Sequence, residues 1–230
     1  MTGTISALSY ATLAFLAIHI IPSSYLRGAV IKKTGTLVYL VAYSVVSLLV
    51  FNWMTSAYFA APLGPVLWDL GNMARYAAMV IMPVAFILVV GPLTSRSPTI
   101  VGGQKTVNTL MARSGINAIT RHPLMWAIAL WAVAHLLNNG DLKSVIFFSG
   151  LGCLAVVGTI MIDRKREKEL GDDWKTYTAV TSNIPFLAML QGRADISVKM
   201  LWWRVLLGLV GFALFFRFHS MIIGVSPLPL

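Results

Sequence analysis

Four histidines, His19, His122, His135 and His219, have the widest chemical reach in this chain, and all four fall in or beside long apolar runs. An ionisable side chain at membrane depth is costly to place, which makes it a functional candidate by default. His19 stands in LAIHIIPSS and His135 in WAVAHLL. At the rise of an α-helix, His19 lies up to about 12 Å from the boundary marked by Arg27, and His135 about 21 Å from that marked by Arg121. The difference, about 9 Å, is within what two side chains on neighbouring helices can close around one metal. His122 lies nearer the boundary and matches His19 in depth equally well. Two buried histidines suit haem, because the porphyrin supplies four nitrogens and asks only for axial ligands. A zinc site asks for three or four ligands, and no further Cys, His or carboxylate lies at that depth. The competing reading is a plain hydrogen bond from each ring to a neighbouring helix.

Arg121-His122-Pro123 is a second constellation. Proline is tolerated in the first turn of a helix, so the triplet marks a helix start. Unpaired N–H groups there, beside the Arg121 guanidinium, suit a phosphate, a carboxylate or a haem propionate. Arg217 lies near the far boundary, where a long side chain can reach water, and His219 follows it. Trp202, Trp203 and Arg204 read as an interfacial belt. Cys153 is the sole cysteine, which excludes an internal disulfide, and its apolar surroundings predict a small buried packing residue.

The elements that must position these residues follow from composition. Hydrophobic residues make up 57% of the 230 and charged residues 11%, against about 25% charged in soluble chains. So little polar surface cannot cover so apolar a core, and lipid must be the outer solvent. The formal charge of +10 sits between apolar blocks and not on one face, a topology signal that argues against nucleic acid as a partner. Spans are predicted near 4–22, 37–55, 74–92, 123–138, 144–162 and 201–224. Each must be a helix, because every backbone polar group needs a partner inside the hydrocarbon. The expected fold is an all-α polytopic membrane helix bundle of about six transmembrane helices, forming a single integral membrane domain over 1–230. The first span lacks the basic start of a cleaved signal and is read as retained.

Orientation follows from the loops. Connections 23–36, 93–122 and 163–200 hold Arg27, Lys32, Lys33, Arg96, Lys105, Arg113, Arg121 and the long basic run from Arg164 to Lys199, whereas the alternate connections hold little charge. Positive loops stay inside, so both termini are non-cytoplasmic. Loop 93–122 opens on GPLTSRSPTIVGG and reads as an irregular surface connection. In 163–183 the fifth span continues as a helix to near Gly171, followed by an amphipathic piece carrying Trp174 and Tyr177, and 184–200 is expected to lie on the membrane surface.

The string GINAITRHPLMWAIALWAVAHLLNNGDLKSVIFF, with His19 in an early LAIHIIPSSYLR segment, resembles the NnrU membrane proteins, a family associated with denitrification and nitric-oxide handling that includes the membrane domain of zeta-carotene isomerase. That resemblance implies a multi-pass protein of the bacterial inner membrane, haem b held by His19 and His135, and a hydrophobic polyene or isoprenoid as substrate, acted on by a haem-dependent isomerase. Arg121 and His122 would then lie at the cofactor's polar edge. The isomerase carries a cysteine three residues before its second histidine, where this chain has Ala132. A weaker likeness, through Arg121-His122-Pro123, Glu167, Glu169, Gly171, Tyr177 and Pro185, is to isoprenylcysteine carboxyl methyltransferases and membrane sterol reductases. It implies S-adenosylmethionine or a nicotinamide cofactor at the inner mouth, although Leu124 and Met125 depart from that pattern. A non-catalytic assembly partner is the third reading.

Overall fold

In the computed structural model the described residues are 3–21, 27–95, 97–100, 102–194 and 197–229, without the side chain of Met111. Helices account for every element of length. In chain order they are α1 Ile5–Ile21, α2 Arg27–Thr34, α3 Thr36–Ala60, α4 Gly71–Thr94, α5 Leu110–Arg113, α6 Ile116–Ile119, α7 Pro123–Asn138, α8 Leu142–Leu170, α9 Asp172–Val180, α10 Leu187–Leu190 and α11 Val198–Ile223. Helices α3, α4, α8 and α11 are long and apolar enough to cross a bilayer, and α1 and α7 are shorter apolar helices. At 17 and 16 residues these two reach about 25 Å, slightly under a hydrocarbon thickness of about 30 Å. The chain is an all-α membrane helix bundle. α4 carries Pro83 and Pro92 in its interior, which membrane helices tolerate because neighbouring groups satisfy the freed carbonyls.

The chain divides into two compact units, each built from two stretches: residues 1–70 with 135–154, and residues 71–134 with 155–230. In the first unit α1 and α8 run side by side in the same direction. Gly64, at φ +73°, leaves room for Ile5 at the start of α1 and Leu142 at the start of α8. Further along, a Cβ on Gly150 would come 2.5 Å from the Thr12 methyl, so glycine is what lets the two helices touch. Backbone hydrogen bonds Leu67 N to Gly140 O (2.8 Å) and Leu142 N to Pro65 O (3.0 Å) stitch the α3–α4 connection to the α7–α8 turn. The Trp68 indole donates to the Leu136 carbonyl (2.9 Å), satisfying one of the last acceptors of α7.

In the second unit α4 packs on α11 with similar closeness. A Cβ on Gly208 would lie 2.6 Å from Ile87 Cα. Arg204, expected in an interfacial belt, is only 4% exposed. Its guanidinium donates to Thr94 Oγ1 and Thr94 O, each at 3.0 Å, so it caps the end of α4 where carbonyls lack helical partners. The reason is local: Arg204 lies nearly two turns into α11, within reach of the α4 terminus. The 93–122 connection also departs from a surface loop. Ser97, Thr99, Val107, Ser114 and every residue from Ile116 to Thr120 are buried, because Ile116 and Ile119 fill a core with Leu88, Val90 and Ala127. Cys153, expected to be buried, is exposed on α8. On an apolar helix an outward thiol meets lipid, so the sequence carries no signal for its direction.

The extension of α8 past the span is as expected. The helix runs to Leu170, turns at Gly171 (φ +53°), and resumes as α9 with Trp174 and Tyr177 buried on its inner face. In the expected surface segment, Leu190 is 84% exposed while Ala188 is buried.

Candidate functional site

A polar cluster in the second unit is built on Asp163, near the end of α8. Arg121 approaches it side-on, Nε to Oδ1 at 3.0 Å and Nη2 to Oδ2 at 2.5 Å. His122 Nε2 lies 2.6 Å from Oδ1 of the same carboxylate. Pro123 begins α7 and fixes the chain direction there, so that consecutive side chains both turn onto one acid. The backbone on either side is tied down: Arg121 N donates to Ser182 O (2.9 Å), Phe186 N to Ile119 O (2.8 Å), and Thr120 Oγ1 to Asn183 O (2.6 Å). The Trp126 indole donates to the same Asn183 carbonyl (2.7 Å), and Asn183 Nδ2 to Thr159 Oγ1 (2.9 Å). The Arg121 carbonyl accepts from Thr99 Oγ1 (2.7 Å), and its guanidinium sits 5.9 Å from the Trp174 ring centre.

Burial dominates the electrostatics of His122, which is 2% exposed. Loss of water lowers its pKa below the ordinary histidine value, although the Asp163 hydrogen bond and charge pull the other way. The ring is therefore neutral at pH 7, with Nε2–H donating to Asp163, and Nδ1 is a buried acceptor without a hydrogen-bond partner. Tyr177, fully buried against Trp174, has its phenol pushed well above the usual range by burial. One turn beyond Asp163, Arg166 pairs with Glu169 (2.5 Å) and donates to Ile100 O (2.8 Å). Arg193 caps α9 through the carbonyls of Thr178, Ala179 and Thr181.

Sequence reasoning placed Arg121 against an external anion. In the structure it is held by an internal one, and the reading of a soluble cofactor anchored at Arg121 and His122 finds both donors already on Asp163. Asp163 was the residue missed. It stands alone at the edge of the apolar run, the single acid between Asp141 and Glu167, and that isolation was the available signal. Asn183 and Thr120 gave none, because ordinary polar loop residues acquire these roles only when two distant segments meet.

The haem ligands expected from sequence, His19 and His135, both belong to the first unit. His19 Nδ1 donates to Phe15 O (2.8 Å), and the ring packs on Phe15 (4.3 Å) and edge-on to Tyr43 (5.9 Å). A histidine whose Nδ1–H is bound to a carbonyl has Nε2 as its basic nitrogen, the tautomer that ligates metals. His135 stacks on Phe148 at 4.8 Å, three residues before α7 ends. Measured from the Thr12–Gly150 contact, His19 and Phe148 lie in opposite directions, about 13 Å apart along the helix axes. Each ring thus lies against an aromatic neighbour within the same unit, Phe15 for His19 and Phe148 for His135. The sequence estimate of depth counted residues from Arg27 as one helix, whereas α1 ends at Ile21, placing His19 in its last turn. His219 Nδ1 donates to Val225 O at 2.7 Å.

Helices of this length and apolarity, with charged side chains gathered on the connections between them, define a multi-pass integral membrane protein. The chain belongs to the NnrU family: residues 7–227 match the family described as "NnrU protein". It is similar to two curated proteins named 15-cis-zeta-carotene isomerase, both chloroplastic. The Arabidopsis thaliana protein is 36% identical over 80 residues, 35% of this chain and 22% of that protein. The Zea mays protein is 34% identical over 83 residues, 36% of this chain and 23% of that protein. The chain thus matches under a quarter of the length of these relatives. No solved structure matches it.

Proposed function

We propose that this protein acts inside the bilayer on a long conjugated polyene and catalyses its cis–trans isomerisation. The observation that carries the reading is the likeness to the two zeta-carotene isomerases over about a third of the chain. A polyene partitions into hydrocarbon, so a protein that offers most of its surface to lipid meets such a substrate without extracting it into water. Haem b belongs to the same proposal, with His19 and His135 as the residues that would hold it, the tautomer of His19 leaving Nε2 as the nitrogen suited to iron. Bound there, haem would supply an iron whose potential the surrounding apolar residues tune. A bacterial inner membrane and a link to nitric-oxide metabolism rest on the family resemblance.

The test is direct. Haem-replete protein, purified in mild detergent and incubated with a 15-cis polyene under reducing conditions, is expected to change the ratio of isomers separated by chromatography. An unchanged ratio alongside an active plant isomerase control removes the isomerase reading.

A further inference from the structure

We propose that the first unit carries a binding site for one anionic phospholipid, with its acyl chain between α1, α2 and α3 and its phosphate at Lys32 and Lys33. A groove of about 250 Å³ opens there, lined almost wholly by apolar atoms: Ile18 from α1, Val30 and Thr34 from α2, and Val38, Ala42 and Val46 from α3. Thr34 is the one polar lining residue besides the rims of Tyr39 and Tyr43, and its hydroxyl is turned back onto the Val30 carbonyl at 3.0 Å. The groove therefore offers a chain of methylenes nothing to hydrogen-bond.

Charge selects the headgroup. Val30, Lys33 and Thr34 are spaced i, i+3, i+4 on α2 and so share a face. Lys32 and Lys33 are both exposed. The only carboxylates of this unit are Asp69 and Asp141. Asp141 lies at its opposite end, where it bridges to Val66 and accepts from Ser144 N. Asp69 lies in the same connection as Val66, after α3 has crossed to that end. The two exposed lysines thus lie at the end of this unit that holds no acid of its own to neutralise them. A lysine near an anionic surface gains attraction of a size that adds from residue to residue. A short basic helix over an apolar groove places phosphate and acyl chain together, and neither free phosphate nor a neutral polyene would use both parts.

The full-length protein in mild detergent is titrated with phosphatidylglycerol and, separately, phosphatidylcholine of identical chains, with binding read by native mass spectrometry. About a thirtyfold preference for phosphatidylglycerol is expected from two lysines. Lys32→Gln/Lys33→Gln should abolish the preference while leaving the shared acyl affinity, and Ala42→Trp should weaken both lipids by filling the groove. A control, Lys168→Gln/Lys199→Gln, should keep the preference. Equal binding of the two lipids by the unmodified protein, or a preference that survives Lys32→Gln/Lys33→Gln, overturns the proposal. Competition by a neutral polyene, equal in the unmodified protein and the lysine variant, would reassign the groove to substrate and also overturn it.

Discussion

His122 Nε2 and Asp163 Oδ1 lie 2.6 Å apart, joining the start of α7 to the inner part of α8 through a neutral imidazole and an ionised carboxylate. Arg121 closes on the same acid, so one side chain terminates two consecutive residues of the most distinctive motif in the sequence.

Asp163→Ala strips both partners at once. His122 would be left buried without an acceptor and Arg121 with only the Thr181 carbonyl at 3.4 Å, at a cost of about 3 kcal/mol. A clear loss of thermal stability in detergent is expected, smaller for Asp163→Asn, which keeps one acceptor oxygen. A fall in melting temperature no larger than that of a surface substitution would show that the cluster is not structural.

The neutral state of His122 gives stability a pH dependence. Its folded pKa lies below the unfolded value of about 6.5, so below that pH the unfolded chain binds the extra proton. The contribution is complete above about pH 6.5 and is lost progressively as pH falls toward the lower folded pKa. Melting temperature should therefore drop between pH 7.5 and 5.5, and His122→Gln should flatten that drop. A parallel slope in wild type and variant would reject His122 as its source.

Gly208→Val brings a Cβ to 2.6 Å from Ile87 Cα, at a glycine contact that lets α4 and α11 approach closely. A penalty of about 1–3 kcal/mol is expected for overpacking. The Gly211→Ala variant, whose Cβ would meet Phe86 at 3.5 Å, should be nearly neutral. Proteolysis rates in detergent distinguish the two.

Haem held between His19 and His135 predicts a spectrum with a paired-imidazole, six-coordinate signature. Protein from haem-sufficient cells should lose that signature on His19→Ala and on His135→Ala alike. A six-coordinate signature that survives either substitution would remove that residue from the pair.

The sequence by itself determined the solvent, the number of long apolar runs, the break at Gly171 and the family, because these depend on composition and local pattern. Six apolar runs became the six longest apolar helices, with boundaries moved by a few residues. What only tertiary structure decided is which polar groups meet. Arg204 looked interfacial and became the cap of α4; Cys153 looked buried and faces outward; Arg121 looked free for an outside anion and found Asp163. On an apolar helix every face reads alike, so hydropathy carries no azimuth. A charged partner 42 residues away is chosen by how helices pack, which no local pattern records.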